Sequence, residues 1–269
     1  MLGSALAAAG CSKNAATGTA TAPAEALDAA LTPAAAVAAL RRAGGGHLHA
    51  VTTFKVSPQS PPADYVPELD AVTTTTDLWM DSSGQFRLVE LNDRDGGREV
   101  VFTGRELAVS LRYGKMIRRS AQEPEPTHLL EEALGGPFAT WDLARPWARV
   151  AGAGPFTIAL AGAVAPPRPG DAETPLRKWR DTVKVGSLGG EVKVDPATHA
   201  LLAARLEAQF SLTRDGAPFV GLARAEATLS DVGRVAAITP PQSEELRPRQ
   251  RTIVEERALL GRGISERTR

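Results

Sequence analysis

The chain has 269 residues with 31 basic and 31 acidic side chains, so its formal net charge is zero. This balance argues against a nucleic-acid-binding protein, because such proteins bind phosphates through an excess of cationic side chains. No apolar run approaches the roughly 20 residues that a membrane-spanning helix needs. The single cysteine excludes an intrachain disulfide and any metal site built from several cysteines. The remaining composition, 43% hydrophobic and 23% charged, is typical of a globular protein.

The only cysteine, Cys11, follows a run of small residues at positions 7–10. Such a run is typical of the site where a lipoprotein signal peptide is removed and the cysteine is acylated. Two acyl chains are enough to anchor a protein stably to a membrane. We therefore predict that residues 1–11 are a truncated lipoprotein signal ending in the anchor cysteine, with the true start further upstream. The alternative is a lone cysteine in an Ala-rich leader.

Composition divides the rest of the chain into three parts. Residues 12–33 are rich in Ala and Thr, which predicts a flexible tether. Residues 34–240 alternate apolar and polar side chains and are predicted to form the folded domain. Residues 241–269 are highly charged and predict a C-terminal helix or tail at the periphery.

The predicted domain begins with a helix and continues as short strands. The helix at residues 34–42 ends at three consecutive glycines, which is a C-terminal stop signal. Turn signals then recur about every 8–12 residues, a spacing that favours antiparallel hairpins over βαβ units. The strands predicted in this part are residues 47–56, 72–80, 85–91, 98–102, 106–111 and 115–119.

The middle of the chain has a different pattern. Residues 127–134 and 139–150 carry helix formers and predict two short helices, with Pro146 kinking or splitting the second. The Gly-Ser-Leu-Gly-Gly sequence at residues 186–190 is predicted to be a hairpin loop. The strands predicted in this second part are residues 156–164, 179–185, 191–194, 201–212 and 219–230.

The last two predicted strands show the clearest alternation, which indicates one buried and one solvated face. In the first of them the apolar residues occupy even positions: Leu202, Ala204, Leu206, Ala208, Phe210 and Leu212. In the second they occupy odd positions and are mostly small: Phe219, Gly221, Ala223, Ala225, Ala227 and Leu229. Small side chains cannot fill a sheet interior alone, so either a packed helix or a bound apolar ligand must approach them.

The order of elements resembles the LolA/LolB-type lipoprotein-carrier superfamily, with envelope lipoproteins of the LppX/LprG type. The segments that carry the resemblance are residues 81–87, 98–107, 113–115, 190–195 and 229–233. The resemblance extends over residues 34–240. It implies an α+β fold in which a single curved antiparallel β-sheet forms a half barrel, with helices covering its concave face. It also implies an envelope location.

The sequence offers little catalytic chemistry. His47 and His49 are two apart on a predicted strand and so share a face, where they could bind one metal ion. A third ligand is missing nearby, and surface histidines without a role are the more frequent case. No nucleophile is paired with a base in a recognisable motif. We therefore predict that the protein is not an enzyme and needs neither a metal nor a cofactor.

We predict an envelope lipoprotein, anchored through Cys11 on the periplasmic side of the outer membrane, that binds or carries a lipid or acyl chain between sheet and helices. The alternative is a structural or interaction lipoprotein with a filled core that docks an envelope protein partner. An internal apolar void favours the first function and a filled interior favours the second. The residues predicted to line the ligand cleft are Trp79, Phe86, Leu88, Val101, Leu107, Phe138, Trp141, Leu206, Phe210, Ala223 and Ala225.

Overall fold

The computed structural model describes residues 27, 30–67, 70–152, 155–161 and 182–245, with backbone only for residues 136 and 137. Its main helices are α1 (Pro33–Arg42) and α2 (Glu125–Ala144), and α2 continues into a 3₁₀ turn at Arg145–Trp147. The strands are, in chain order, β1 (Gly46–Pro58), β2 (Ala71–Met80), β3 (Phe86–Asn92), β4 (Gly97–Phe102), β5 (Glu106–Leu111), β6 (Ile117–Ser120), β7 (Ala148–Ala151), β8 (Phe156–Leu160), β9 (Lys184–Val194), β10 (Leu201–Arg214), β11 (Ala217–Ser230) and β12 (Glu244–Glu245).

These 12 strands form one curved sheet in the order β12-β6-β5-β4-β3-β2-β1-β11-β10-β9-β8-β7. Neighbouring strands are antiparallel except β12 and β6, which run parallel. Strand β1 pairs with both β2 and β11, so the two halves of the chain meet in the middle of the sheet. Helix α2 packs against β1, β2, β10 and β11. The predicted fold class, α+β with helices on one curved antiparallel sheet, is confirmed.

The two faces of the sheet differ in burial because successive side chains of a strand point to opposite sides. In β1, Leu48 and Ala50 are buried on the side of the helices, whereas His47 and His49 point away from them. The face that carries Leu48 is called the inner face below, and the face that carries His47 is called the outer face.

The first part of the fold follows the sequence prediction closely. Helix α1 and strands β1 to β6 are confirmed, with bounds that differ by at most two residues. Leu27, Ala30 and Leu31, at the end of the predicted tether, are also fully buried, so the folded body begins before residue 34. Cys11, the first part of the tether and the predicted tail beyond residue 245 lie outside the described residues.

Helix α2 corrects the prediction of two short helices. The segments predicted as separate are joined in one 20-residue helix that runs through the Gly-Gly-Pro sequence at residues 135–137. Burial of a continuous apolar stripe against the sheet outweighs the weak helix propensity of glycine and proline. The stripe is continuous because its buried residues are three or four positions apart: Leu130, Leu134, Phe138 and Trp141.

The end of the second predicted helix is also corrected. Pro146 does not kink or split a helix but lies in the 3₁₀ turn that follows α2. Residues 148–151, predicted as helical, form β7 and pair with β8. Helix α2 ends at Ala144, and the chain passes through the 3₁₀ turn into the sheet.

The predicted hairpin loop at residues 186–190 is wrong, because these residues lie inside β9. Gly189 and Gly190 are paired on one side with β10 and on the other with β8. A Cβ atom at Gly190 would come within 2.3 Å of the carbonyl oxygen of Arg205. Glycine at position 190 therefore permits a close approach of the neighbouring strand β10, whereas in the sequence the same glycines resemble a turn signal.

The alternation predicted for β10 holds except at its start. Leu202 was predicted to be buried but is 36% exposed, whereas Leu201 is buried. The pairing register with β9 shifts between Leu201 and Ala203. This irregularity reverses the face of the first side chains, so the even positions turn inward only from Ala204 onward.

Candidate functional site

The inner face and α2 enclose the space where the ligand cleft was predicted. Nine of the predicted cleft residues lie at this interface, and all nine are buried. Phe138 and Trp141 belong to α2. The other seven lie on the inner face of the sheet: Phe86, Leu88, Leu107, Leu206, Phe210, Ala223 and Ala225. The structure thus brings these residues together, while their role in ligand binding stays a prediction.

The space under α1 and α2 is filled in the described part of the chain. The apolar gap between Leu40, Leu48, Leu134 and Phe138 has a volume of only about 20 Å³. Small-molecule pockets have volumes of about 300–1,000 Å³, so this gap is more than ten times too small for a ligand. The described side chains around this gap form a packed core.

The stripe of small residues on β11 is covered by protein. Helix α2 packs over β10 and β11, and Ala223, Ala225 and Ala227 are buried beneath it. At Gly221, an added Cβ atom would lie 2.2 Å from the ring of Phe210. Of the two possibilities left open by the sequence, a helix or a ligand, the helix fills this space together with an aromatic ring from the neighbouring strand.

Two ion-pair clusters hold α2 to the far half of the sheet. Arg98 on β4 pairs with Glu90 on β3, and its Nη1 lies 3.2 Å from a carboxylate oxygen of Glu132 on α2. Burial alone would lower the pKa of Arg98, but the hydrogen bonds to these two glutamates raise it above its ordinary value. Arg119 on β6 pairs with Glu125 in the first turn of α2. The helix is therefore tied by charge as well as by apolar contact.

Trp79 and Val101 lie on the outer face and not in the predicted cleft. Their positions follow from the register, since Trp79 is opposite His47 in β1 and Arg87 in β3. Val101 is opposite the same Arg87 from the other side. Val101 is nevertheless buried, so something covers this part of the outer face.

The cover is the chain that follows β11, called the crossing segment below (residues 231–243). It crosses the outer face of β2, β3 and β4 and then reaches β6. Between it and the sheet lies an outer cleft of about 560 Å³. The sheet contributes Trp79, Arg87, Glu99 and Val101 to this cleft, and the crossing segment contributes residues 231 and 234–241.

The floor of the outer cleft is an ordered cluster of side chains. The ring of Trp79 stacks on that of His47, with centroids 4.5 Å apart. The guanidinium carbon of Arg87 lies 5.4 Å from the Trp79 ring centre, which is a cation–π geometry. Arg87 also donates a hydrogen bond of 2.8 Å from Nε to Glu99.

Asp81 joins the crossing segment to the β2–β3 hairpin. Its Oδ1 accepts hydrogen bonds from the amides of Ser83 and Gln85 and from the Ser83 hydroxyl. Its Oδ2 accepts the amide of Ile238 at 3.0 Å. Burial alone would raise the pKa of Asp81, but hydrogen bonds from Ser83, Ile238 and Gln85 outweigh it and lower the pKa. The ionised carboxylate therefore fixes both segments.

His47 and His49, the pair considered for a metal, both contact Asp77. The distances to the same carboxylate oxygen are 2.9 Å for His47 Nε2 and 2.8 Å for His49 Nδ1. Burial opposes ionisation of Asp77, but the hydrogen bonds from His49 and His47 lower its pKa. Within the described ranges, no three His, Cys, Asp or Glu side chains are grouped so that they could hold a metal ion.

The crossing segment was not predicted as part of a site. Residues 231–240 were placed at the end of the predicted domain and residues 241–243 at the start of the predicted tail. The usable signal was Trp79, whose position on β2 is odd while the buried residues Leu78 and Met80 are even. An aromatic ring on the solvated face of a strand predicts a cover or a partner there.

No helix among the described residues combines the length and hydropathy needed to cross a membrane. A scan against protein-family models gave no match, and no curated protein matched the chain. Among solved structures, a crystal structure of MucB in complex with MucA(peri) aligns at 13% identity and a TM-score of 0.20, covering 82% of this chain and all of that one. The MucA/MucB complex of Pseudomonas aeruginosa aligns at 12% identity and a TM-score of 0.17. This alignment covers 82% of the present chain and 99% of the chain in that complex. The resemblance to the lipoprotein-carrier superfamily stays a prediction.

Proposed function

We propose that this chain is a non-catalytic interaction protein of the cell envelope that docks a partner protein in the outer cleft. The observation that carries the proposal is the ordered cluster of Trp79 and Arg87 beneath the crossing segment in the outer cleft. This cleft measures about 560 Å³, whereas the apolar gap between Leu40, Leu134 and Phe138 measures about 20 Å³. A filled interior was the feature that distinguished the interaction protein from the lipid carrier.

The composition of the outer cleft suits a protein partner. Trp and Arg are the side chains most enriched among residues that dominate binding energy at protein interfaces. Here Trp79 and Arg87 lie side by side, already ordered by His47 and Glu99. A preordered surface loses less conformational entropy when a partner binds. The cluster is therefore a candidate anchor for a partner side chain or loop.

The envelope location rests on Cys11 and its small-residue run. Acylation of Cys11 would anchor the chain to the membrane, and the residues that follow Cys11 would link this anchor to the folded body. We propose that the protein lies on the periplasmic side of the outer membrane, where the acylated Cys11 would hold the partner-binding domain at the membrane surface. Labelling with a radioactive fatty acid tests this part, since Cys11→Ser would abolish the label.

A second candidate, carriage of a lipid or acyl chain, is favoured by the apolar inner face under α2. Access to that face requires α2 to move, and its middle contains Gly-Gly-Pro, which is a poor helix former. Opening would also break the contact between Arg98 and Glu132. Co-purification of a lipid with the protein distinguishes this function from the first.

Site-specific photo-crosslinking in the native envelope tests the docking proposal. A photoreactive phenylalanine analogue replaces Thr239, an exposed residue of the crossing segment that lines the outer cleft, or Arg205 as a control. Arg205 lies on the outer face but does not line this cleft. We expect a discrete crosslinked protein from position 239 and none from position 205. Absence of a crosslink at position 239, or equal crosslinks at both positions, would overturn the proposal.

A further inference from the structure

The two histidines on the outer face of β1 contact one carboxylate oxygen beside the outer cleft. His47 Nε2 and His49 Nδ1 lie 2.9 Å and 2.8 Å from the same Oδ1 atom of Asp77. An ionised carboxylate only accepts hydrogen bonds, so each imidazole must present an N–H group to it. A neutral imidazole has one N–H group, which leaves its second ring nitrogen able to take up a proton. One carboxylate thus serves two rings that can each become cations.

His47 connects this pair to the floor of the outer cleft. Its ring stacks on that of Trp79, and the two residues are opposite each other in the register of β1 and β2. The side chains of His47 and His49 are 22% and 46% exposed, so protons in solution reach both rings. A charge on His47 therefore lies directly against the indole ring that lines the cleft.

Protonation of both histidines reverses the sign of the net charge around the cleft. The charged side chains in the lining of the cleft are two acids and two bases, namely Glu99, Asp231, Arg87 and Arg234. These four balance, so the carboxylate of Asp77 leaves an excess of one negative charge while both imidazoles are neutral. With both imidazoles protonated, the excess is one positive charge, because one carboxylate cannot balance two cations.

The neighbouring strands β9, β10 and β11 do not alter this balance. Their charged side chains near His49 form ion pairs with one another: Glu191 with Lys193, and Arg205 with Glu226. The residues of β11 opposite His47 and His49 are the uncharged Ser230 and Thr228. Among all these side-chain types, only histidine changes its charge between about pH 5 and pH 8. Acidification therefore acts on this face through the two imidazoles.

We propose that pH controls docking in the outer cleft through His47 and His49, and that the partner presents an acidic surface there. This control presupposes the docking function proposed for the cleft. Acidification adds two positive charges beside Trp79 and strengthens the attraction for an acidic partner, whereas the net negative charge at neutral pH opposes it. The added charge comes from the imidazoles, since Arg87 already has Glu99 as its counter-charge.

Photo-crosslinking from position 239, in envelope fragments that are open to the buffer, tests this control. The yield of crosslinked partner is compared at about pH 7.5 and about pH 5.5, on either side of the range in which histidine gains its proton. The double variant His47→Gln with His49→Gln keeps an N–H donor at each position but cannot be protonated. The matched control is His128→Gln with His199→Gln, which replaces the other two of the chain's four histidines.

We expect roughly threefold to tenfold more crosslinked partner at the lower pH for the unsubstituted chain and for the control variant, because each exposed charge contributes modestly. We expect equal yields at both pH values for the double variant at positions 47 and 49. A further variant, His49→Lys, places a permanent cation at the more exposed of the two positions. It should raise the yield at the higher pH.

Three results would overturn the control by pH and leave the docking function intact. They are equal yields at both pH values for the unsubstituted chain, a lower yield at the acid pH, and a rise that persists in the double variant at positions 47 and 49. No crosslink from position 239 at either pH would contradict docking in the outer cleft itself, and the control by pH would fail with it.

Discussion

The indole ring of Trp79 lies against the imidazole ring of His47, with the ring planes 9° from parallel. The two residues are opposite each other on β2 and β1, so the stack is fixed by the strand register and not by a flexible loop. Arg87 adds a cation near the same indole ring. The outer cleft therefore has an ordered aromatic floor in the absence of any partner.

Replacing Trp79 with Ala removes this floor. We expect a loss of about 1–2 kcal/mol in the free energy of unfolding, since the ring is partly buried and makes two specific contacts. We expect at least about tenfold weaker partner binding. Urea denaturation and the crosslink from position 239 measure the two effects. Tyr113→Ala is the matched control. The guanidinium carbon of Arg112 lies 5.4 Å from the ring centre of Tyr113, the same distance as between Arg87 and Trp79, but the exposed Tyr113 does not line the outer cleft.

The carboxylate of Asp81 makes the attachment of the crossing segment to the β2–β3 hairpin depend on pH. Its pKa in the folded protein is lowered, so its contribution to stability is present above the pKa of the unfolded chain, about 3.9. That contribution is lost as the pH falls through the lower folded value. Asp81→Ala should lower the free energy of unfolding by about 2–3 kcal/mol at pH 7, because the carboxylate accepts four hydrogen bonds.

Asp81→Ala should also flatten the acid side of the pH–stability profile. Asp195→Ala is the control, since Asp195 accepts three hydrogen bonds within its own turn and none from the crossing segment. The amide of Ile238 should exchange with deuterium faster in Asp81→Ala and at the normal rate in Asp195→Ala. Equal exchange in both variants would contradict the assigned role of Asp81.

Substitution of Gly221 tests how tightly side chains pack on the inner face of the sheet. An added Cβ would lie 2.2 Å from the ring of Phe210, so Gly221→Ala should destabilise the protein by about 1–3 kcal/mol through overpacking. Gly189, in β9, has no atom within 4 Å of such a Cβ. We therefore expect Gly189→Ala to leave stability unchanged or raise it slightly. Similar urea midpoints for the two variants would mean that Phe210 can move into empty space.

The strands were predictable from the sequence because alternation and turn residues are local signals. The alternation of apolar and polar residues shows the two-residue period of a strand directly, as in β10 from Ala204 onward. The errors at α2 and β9 both lie at glycines, which are frequent in turns but here continue a helix or a strand. Residues 135–137 and 186–190 needed the tertiary neighbours, which no local pattern contains.

The candidate site was less predictable than the fold. The inner-face residues were found because burial follows strand period, as for Phe86 and Leu88. Trp79 was predicted to lie on the same face because it is aromatic. Its position between the buried residues Leu78 and Met80 instead places it on the opposite face of β2. The outer cleft depends on the crossing segment, whose path is set by single contacts such as that between Asp81 and Ile238. Contacts between residues this far apart in the chain leave no periodic signal.

Arg98 tests whether its pair with Glu90 in the sheet contributes more to stability than its exposed contact with Glu132 on α2. Arg98→Ala leaves the mostly buried carboxylate of Glu90 without a partner and should cost about 2 kcal/mol in the free energy of unfolding. Glu132→Gln should cost less than about 0.5 kcal/mol, because Glu132 is 66% exposed. Thermal denaturation of both variants provides the comparison. A larger loss for Glu132→Gln than for Arg98→Ala would contradict this assignment.

The most direct test of the account is native mass spectrometry of the full chain extracted from a bacterial envelope in mild detergent. A filled core predicts a mass without bound lipid, apart from acyl groups that stay covalently attached, and no uptake of added phospholipid or fatty acid. A lipid that co-purifies and leaves on mild activation would show that the interior under α2 opens to a ligand. That result would contradict the filled core and support the carrier function in its place.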